Sequence, residues 1–166
     1  IRYAVDHQAD IILLGEQNTV YPKEQKQWMI EAIRYAESKG VLVVVPTWDL
    51  SFDVSQLVFY PNRWMDGGKD LTNLLVVASS DKAGNPSIAS NYGVLFAPGM
   101  EVFAPNVGDT YKSASGPCLA AATVAGIAAL IKTYYPRLTG NQIRDVLLKT
   151  VSSRKGVEVQ KNCRLN

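Results

Sequence analysis

The residue of this chain with the clearest chemical potential is Cys118. It lies two positions after Gly116, at the start of a long apolar stretch that runs from Ser115 to Pro136. Pro117 suits the first turn of a helix, where its missing N–H costs nothing. The first turn of a helix favours an anion, so a thiol there can react as a thiolate. The alternative is that Cys118 is a small, buried packing residue without chemistry.

The stretch that carries Cys118 predicts one long helix. Alanine and glycine occur on every side of it, and no charge appears before Lys132. A helix that is apolar all round is expected to be buried, with other layers packed around it. Its apolar run is judged too short for a transmembrane helix, so we expect no membrane span.

Further elements are predicted in an order typical of a parallel α/β fold. Continuous apolar runs predict strands buried on both faces. The helices are identified by amphipathic spacing and by stop signals such as Gly40. The predicted strands are 9–14, 41–45, 74–79 and a short one within 92–98. Residues 101–104 are expected to pair near this short strand. The predicted helices are 1–7, 22–40, 115–136 and 140–151, the last capped by Thr139. We expect one domain over residues 1–151 and a loose polar tail over 152–166.

Composition excludes several classes of protein. The 166 residues are enough for one domain with a sizeable core, and the net charge of +2 gives no case for a nucleic-acid partner. Two cysteines, Cys118 and Cys163, make no disulfide framework, and we expect no bridge between a buried helix and a tail. No signal peptide is recognised. Because the first residues read as the end of a helix, we expect the chain to be a piece of a longer protein.

The sequence around Cys118 resembles the nucleophile helix of subtilisin-like serine peptidases. The resemblance rests on 116–122, Gly-Pro-Cys-Leu-Ala-Ala-Ala, followed by Val-Ala-Gly at 124–126. Weaker matches follow in the family's order at 4–12, 36–44, 87–93, 96–99 and 135–144. The resemblance implies a three-layer α/β fold with a buried central nucleophile helix. It also implies a parallel seven-stranded sheet, of which this chain would supply the second part.

The resemblance places several functional positions on this chain. Cys118 falls at the nucleophilic serine and Asp49 at the oxyanion-hole asparagine, where an ionised carboxylate offers only acceptors. Gly15 falls at a substrate-binding edge that is not otherwise preserved, and Ser115 and Gly116 fall in the substrate-binding segment before the nucleophile.

The rest of the family's machinery is not matched. The aspartate and histidine of the triad belong before residue 1, and His7, the only histidine, is expected on the surface at a helix end. No cofactor is implied, and no metal site can be placed on these residues.

Two functions from different classes remain open. The first is a non-catalytic domain on a subtilisin-like scaffold, with a binding or structural role. The second is an endopeptidase that uses Cys118, completed by an upstream segment carrying the aspartate and histidine. A thiol redox protein is a weaker third alternative, because no Cys-x-x-Cys pair is present. The partner implied is a peptide or protein, the location is extracellular or periplasmic, and an exposed sheet edge would favour self-association.

Overall fold

The computed structural model describes residues 1–18, 20–47, 59–63, 65–67, 69–87 and 95–151. Asp49, Cys163 and the predicted tail 152–166 lie outside these residues. The helices are α1 (Arg2–Asp6), α2 (Lys23–Ser38), α3 (Pro117–Tyr134) and α4 (Gly140–Thr150). The strands are β1 (Ile11–Leu13), β2 (Leu42–Pro46), β3 (Leu74–Ser80), β4 (Leu95–Pro98), β5 (Val102–Asn106) and β6 (Thr110–Ala114).

The centre of the fold is a parallel sheet in the order β1-β2-β3-β4. Its register pairs Ile12 with Val43, Val44 with Leu75 and Val77 with Leu95. All residues of β2 and β3 are buried, as their continuous apolar runs predict. The prediction is wrong for β1, where Leu13 is 45% exposed. β1 is the outermost strand of the described sheet and has a neighbour on one side only.

Two helical layers cover the two faces of this sheet. Alternate residues of the central strands pack on α3 and α4, as Leu42 and Leu75 do with Val124 and Ile143. The other face packs on α1 and α2. The side chains in this second layer include Val5, Ile30, Ile33, Val43 and Leu74. The three-layer α/β fold is therefore confirmed.

The start of α4 lies directly on the backbone of β2. A Cβ atom at Gly140 would be 2.6 Å from the carbonyl carbon of Val41, and the Gly140 N–H donates to the Gly40 carbonyl at 2.6 Å. Thr139 caps the helix as predicted, in a reciprocal capping box with Gln142. Glycine at position 140 thus lets α4 approach the sheet closely.

The expectation that α3 is buried on all sides is met on one side only. Ala120, Val124 and Ala128 are buried against the sheet, whereas Leu130 is 60% and Ile127 44% exposed. The sheet and α4 cover one side of the helix, and no other described element covers the opposite side. The prediction that the apolar run is too short to span a membrane is also wrong, because α3 meets the length and composition criteria for a membrane-spanning helix. Core helices of soluble proteins meet the same criteria.

The segment after β4 forms a hairpin that was not predicted. Instead of pairing near β4, β5 pairs antiparallel with β6 in a separate two-stranded sheet. The connection is a three-residue turn, Val107–Asp109, in which Gly108 and Asp109 have φ values of 75° and 54°. This hairpin ends at Ala114, immediately before the segment that leads into α3.

Candidate active site

The amino end of α3 lies at the carboxyl end of β4. The Gly116 N–H donates to the Gly99 carbonyl at 2.8 Å, directly after this strand. A Cβ atom at Gly99 would lie 2.8 Å from the Gly116 carbonyl oxygen and 2.9 Å from the Cβ atoms of Ala120 and Ser79. Glycine is therefore required here for the helix to reach the sheet, and the carboxyl edge of a parallel sheet is where α/β proteins bind ligands.

The backbone at Gly116 turns the chain sharply into the helix. Its φ of 154° and ψ of 160° lie in a region that glycine alone adopts readily. Pro117 follows in the first helical position and is buried. This turn presents the next residue, Cys118, at the end of the helix where backbone N–H groups favour a negative charge.

Cys118 is exposed, so the alternative of a buried packing residue is wrong. The helical repeat explains its position. Ala120, Ala121 and Val124 face the sheet, whereas Cys118 and Ala122 lie on the outward side of the same helix. The thiol is thus accessible to a molecule that approaches the carboxyl edge of the sheet.

The predicted positions Ser115 and Gly15 lie at or near the same edge. The Ser115 hydroxyl accepts the N–H of Glu101 at 2.9 Å, which ties the base of the hairpin to the segment before α3. Gly15 follows β1 and is exposed, with nothing within 4 Å of a Cβ atom added to it. Asp49, outside the described residues, comes two positions after Thr47, which is buried at the carboxyl end of β2.

Sequence reasoning missed two buried polar groups near this edge. The Gln17 side-chain nitrogen follows the carboxyl end of β1, and the Thr47 hydroxyl follows that of β2. Neither has a hydrogen-bond partner among the residues that the structure describes. Buried polar groups in proteins are almost always satisfied, so such atoms are available to a ligand or to water. Nothing in the sequence pattern distinguishes these two residues from ordinary loop positions.

Beyond Gly15, aromatic side chains line the segment that leads into α2. The ring of Tyr21 packs edge-on against that of Tyr60, with centroids 6.0 Å apart, and Lys26 lies over the Tyr60 ring. Burial and the negative charge of Glu16 raise the pKa of Tyr21 above its ordinary value.

His7 lies far from Cys118, at the opposite end of the sheet. It caps the C-terminus of α1, which packs in the layer across the sheet from α3, and it precedes the amino end of β1. Its ring stacks on Tyr3, and its Nδ1 atom lies 2.8 Å from the Tyr3 carbonyl oxygen. The expected surface position is confirmed. Within the described residues, no three His, Cys, Asp or Glu side chains are grouped to hold a metal ion.

Comparison with known proteins agrees with this arrangement. The family model described as "Subtilase family" matches residues 1–164. A thermostable alkaline protease of Halalkalibacterium halodurans is 34% identical over 124 residues, covering 73% of this chain and 32% of that protein. Subtilisin BL of Lederbergia lenta is 33% identical over 126 residues, covering 74% and 43%. The chain therefore spans about a third to somewhat under half of the length of these relatives.

Solved structures show the same fold. The self-cleaved protease domain of PatA has a TM-score of 0.74 at 22% identity, covering 91% of this chain and 57% of that one. The PatG macrocyclase in complex with peptide has a TM-score of 0.72 at 23% identity, covering 90% and 46%. Taken with the match over residues 1–164, these similarities establish that the chain belongs to the subtilase family and has the subtilisin-like fold.

Proposed function

We propose that this chain is a peptide-binding domain of the subtilase family whose own hydrolytic activity is impaired. One observation carries the proposal: His7 lies near the amino end of the sheet, in the helical layer across it from α3, whereas Cys118 lies at the carboxyl end. A general base must come within about 2.6–3.2 Å of the proton it removes. His7 can therefore neither activate the Cys118 thiol nor protonate a departing amine.

The oxyanion-hole position supports the same conclusion. Hydrolysis passes through a negatively charged tetrahedral intermediate, which needs hydrogen-bond donors. The residue that the family resemblance assigns to this role is Asp49, and an ionised carboxylate donates no hydrogen bond and adds like charge. With Asp49 at this position, acyl transfer is thus expected to lack the side-chain donor that stabilises the intermediate.

Peptide binding needs neither of these groups. Gly15 and Ser115 are exposed at the carboxyl edge of the sheet, and Gly116 is half-buried beside them. A peptide bound outside the carboxyl ends of the strands can hydrogen-bond to the backbone of the loops that follow them. The location that goes with this role in the family is extracellular or periplasmic.

The exposure of Cys118 favours a second candidate, an endopeptidase completed by a histidine outside this sequence. In that reaction Sγ attacks the peptide carbonyl carbon, the C–N bond breaks, and the amine leaves with a proton from the base. Water then attacks the thioester, and the thiol is released with the acid product.

Labelling of Cys118 separates the two candidates. The intact protein is treated with a peptidyl chloromethyl ketone, with iodoacetamide as a measure of simple accessibility, and the products are read by mass spectrometry. The proposal expects iodoacetamide to react and the chloromethyl ketone to show no acceleration, while a fluorescent peptide still binds. Fast labelling that a peptide substrate blocks, with casein cleavage lost in Cys118→Ala, would establish the endopeptidase instead.

We further propose that the chain associates with itself in isolation. Leu13 on the outer strand and Ile127 and Leu130 on α3 are exposed apolar side chains on one side of the described fold. Exposed strand edges and apolar faces of this kind promote association. Sedimentation velocity should show concentration-dependent dimers or larger species, and a single monomeric species at all concentrations would refute this.

A further inference from the structure

The face of the β5–β6 hairpin that points away from the fold carries an aromatic pair. Phe103 and Tyr111 stack with ring centroids 5.4 Å apart and planes inclined by 21°. They are 72% and 62% exposed, so their rings contact each other while much of their remaining surface meets solvent. Large exposed aromatic side chains are enriched at binding surfaces.

The register of the hairpin defines this face. Phe103 pairs with Ser113 and Pro105 with Tyr111, so these four side chains share one side of the two-stranded sheet. We call them the aromatic face. None of the four is charged, and the residues on the other side include Val102, Ala104 and Ala114, which are partly buried. The aromatic face is therefore an apolar surface that the described part of the fold does not use.

The hairpin is held rigidly next to the candidate active site. Ser115 accepts a hydrogen bond from the Glu101 N–H, and the Gly116 N–H bonds to Gly99, so both ends of the hairpin are anchored at the start of α3. Tyr111 lies three residues before the end of β6, a distance of roughly 10 Å along the strand. Cys118 follows the end of β6 by four residues, so the aromatic face and Cys118 are close along the chain.

We propose that the aromatic face binds an aromatic or large aliphatic side chain of the same peptide that occupies the candidate active site. This inference rests on the peptide-binding function proposed above. Tyr111 and Cys118 are seven positions apart in the sequence, so a peptide that is extended at about 3.3 Å per residue spans the distance between them with at most about seven residues. The outer edges of β5 and β6 are unpaired within the described residues and offer backbone hydrogen bonds that an extended peptide can make.

The test compares peptides that differ in one aromatic residue. Fluorescent peptides of about ten residues, built from Ala, Ser and Gly with one Phe placed at successive positions, are titrated by anisotropy against the full chain. Burial of one aromatic side chain predicts about tenfold tighter binding at one or two positions than for the peptide without Phe. That advantage should disappear in F103S/Y111S and persist in V107S, a matched control, because Val107 is 91% exposed at the hairpin tip outside the pair.

The possible failures of the two proposals are distinguishable. An advantage for Phe that persists in F103S/Y111S would overturn the aromatic face and leave peptide binding at the sheet edge intact. Binding that depends on Phe103 and Tyr111 but is unchanged when Cys118 carries a bulky maleimide would keep the aromatic face and overturn its link to the site. Failure of every peptide to bind the wild-type chain would overturn both proposals.

Discussion

Replacement of Gly140 by alanine tests whether α4 is positioned by backbone contact with the sheet. The added Cβ atom would lie 2.6 Å from the carbonyl carbon of Val41 and 2.9 Å from the Cα atom of Leu42, and closer still to the Leu42 nitrogen. Carbon atoms pack at about 3.5–4.0 Å, so α4 has to move outward by about 1 Å. Neither neighbour can yield easily, because Leu42 begins the fully buried strand β2 and Val41, also buried, directly precedes it.

The cost of that shift follows from what α4 buries. Ile143 is fully buried and Leu147 is 6% exposed, which together contribute about 3–6 kcal/mol of apolar burial. A gap of up to about 1 Å forfeits a quarter to a half of the packing attraction. The hydrogen bond from Gly140 to Gly40 weakens as well, while the better helix propensity of alanine returns up to about 1 kcal/mol. We expect a net loss of about 1–3 kcal/mol in the free energy of unfolding.

The control is the same substitution at Gly126, within α3. That residue is exposed, and an added Cβ atom would meet nothing within 4 Å. Gly126→Ala should therefore stabilise the protein by about 0.5–1 kcal/mol, because alanine loses less backbone entropy in a helix. Both variants are measured by urea denaturation monitored by circular dichroism. If the free energy of unfolding of Gly140→Ala lies within about 0.5 kcal/mol of the wild-type value, close approach of α4 to the sheet is refuted as the reason for glycine at this position.

Three further predictions concern the site and its supports. Gly99→Ala should destabilise the fold by about 1–3 kcal/mol in urea, because its Cβ atom would lie 2.9 Å from that of Ala120; a wild-type midpoint would contradict this. Thr139→Ala removes the N-cap of α4 and should cost about 1 kcal/mol in the same assay, and a loss below about 0.3 kcal/mol would count against the capping box. Hydrogen bonds from Asn85 hold the pKa of Asp81 below its usual value, so this carboxylate stabilises the fold above about pH 4 and loses that effect as pH falls through the lowered pKa. Asp81→Asn should therefore be less stable than the wild type near neutrality, and the difference should shrink as the pH falls through the lowered pKa; a difference that does not change with pH would contradict this.

The strands and helices of the layered core are predictable from sequence because each carries a local signal. β2 and β3 are continuous apolar runs, and both faces of each strand are indeed buried. The sequence of α4 includes its own N-cap residue, Thr139, which marks where the helix begins. The hairpin escaped prediction because its turn includes Asp109 at positive φ, which is uncommon for a residue other than glycine.

The sequence predicts which residues form the candidate site, but it does not predict their exposure or their neighbours. Cys118, Ser115 and Gly116 are recognised from a contiguous motif, so their positions in the chain need no structure. The exposure of Cys118 could not be predicted, because a helix that is apolar on every side gives no indication of which side will be covered. The need for glycine at position 99 could not be predicted either, because it depends on three residues, Ser79, Gly116 and Ala120, that only folding brings next to it.

The sequence by itself determined the family, the strand and helix segments of the core, and the presence of one histidine and of cysteine in the nucleophile motif. These depend on residue types and on short-range periodicity, which folding does not alter. Only the tertiary structure decided that α3 is covered on one face, that Cys118 is exposed, and that His7 lies across the sheet from it. Those outcomes depend on which elements pack together, and packing joins residues that the chain keeps far apart.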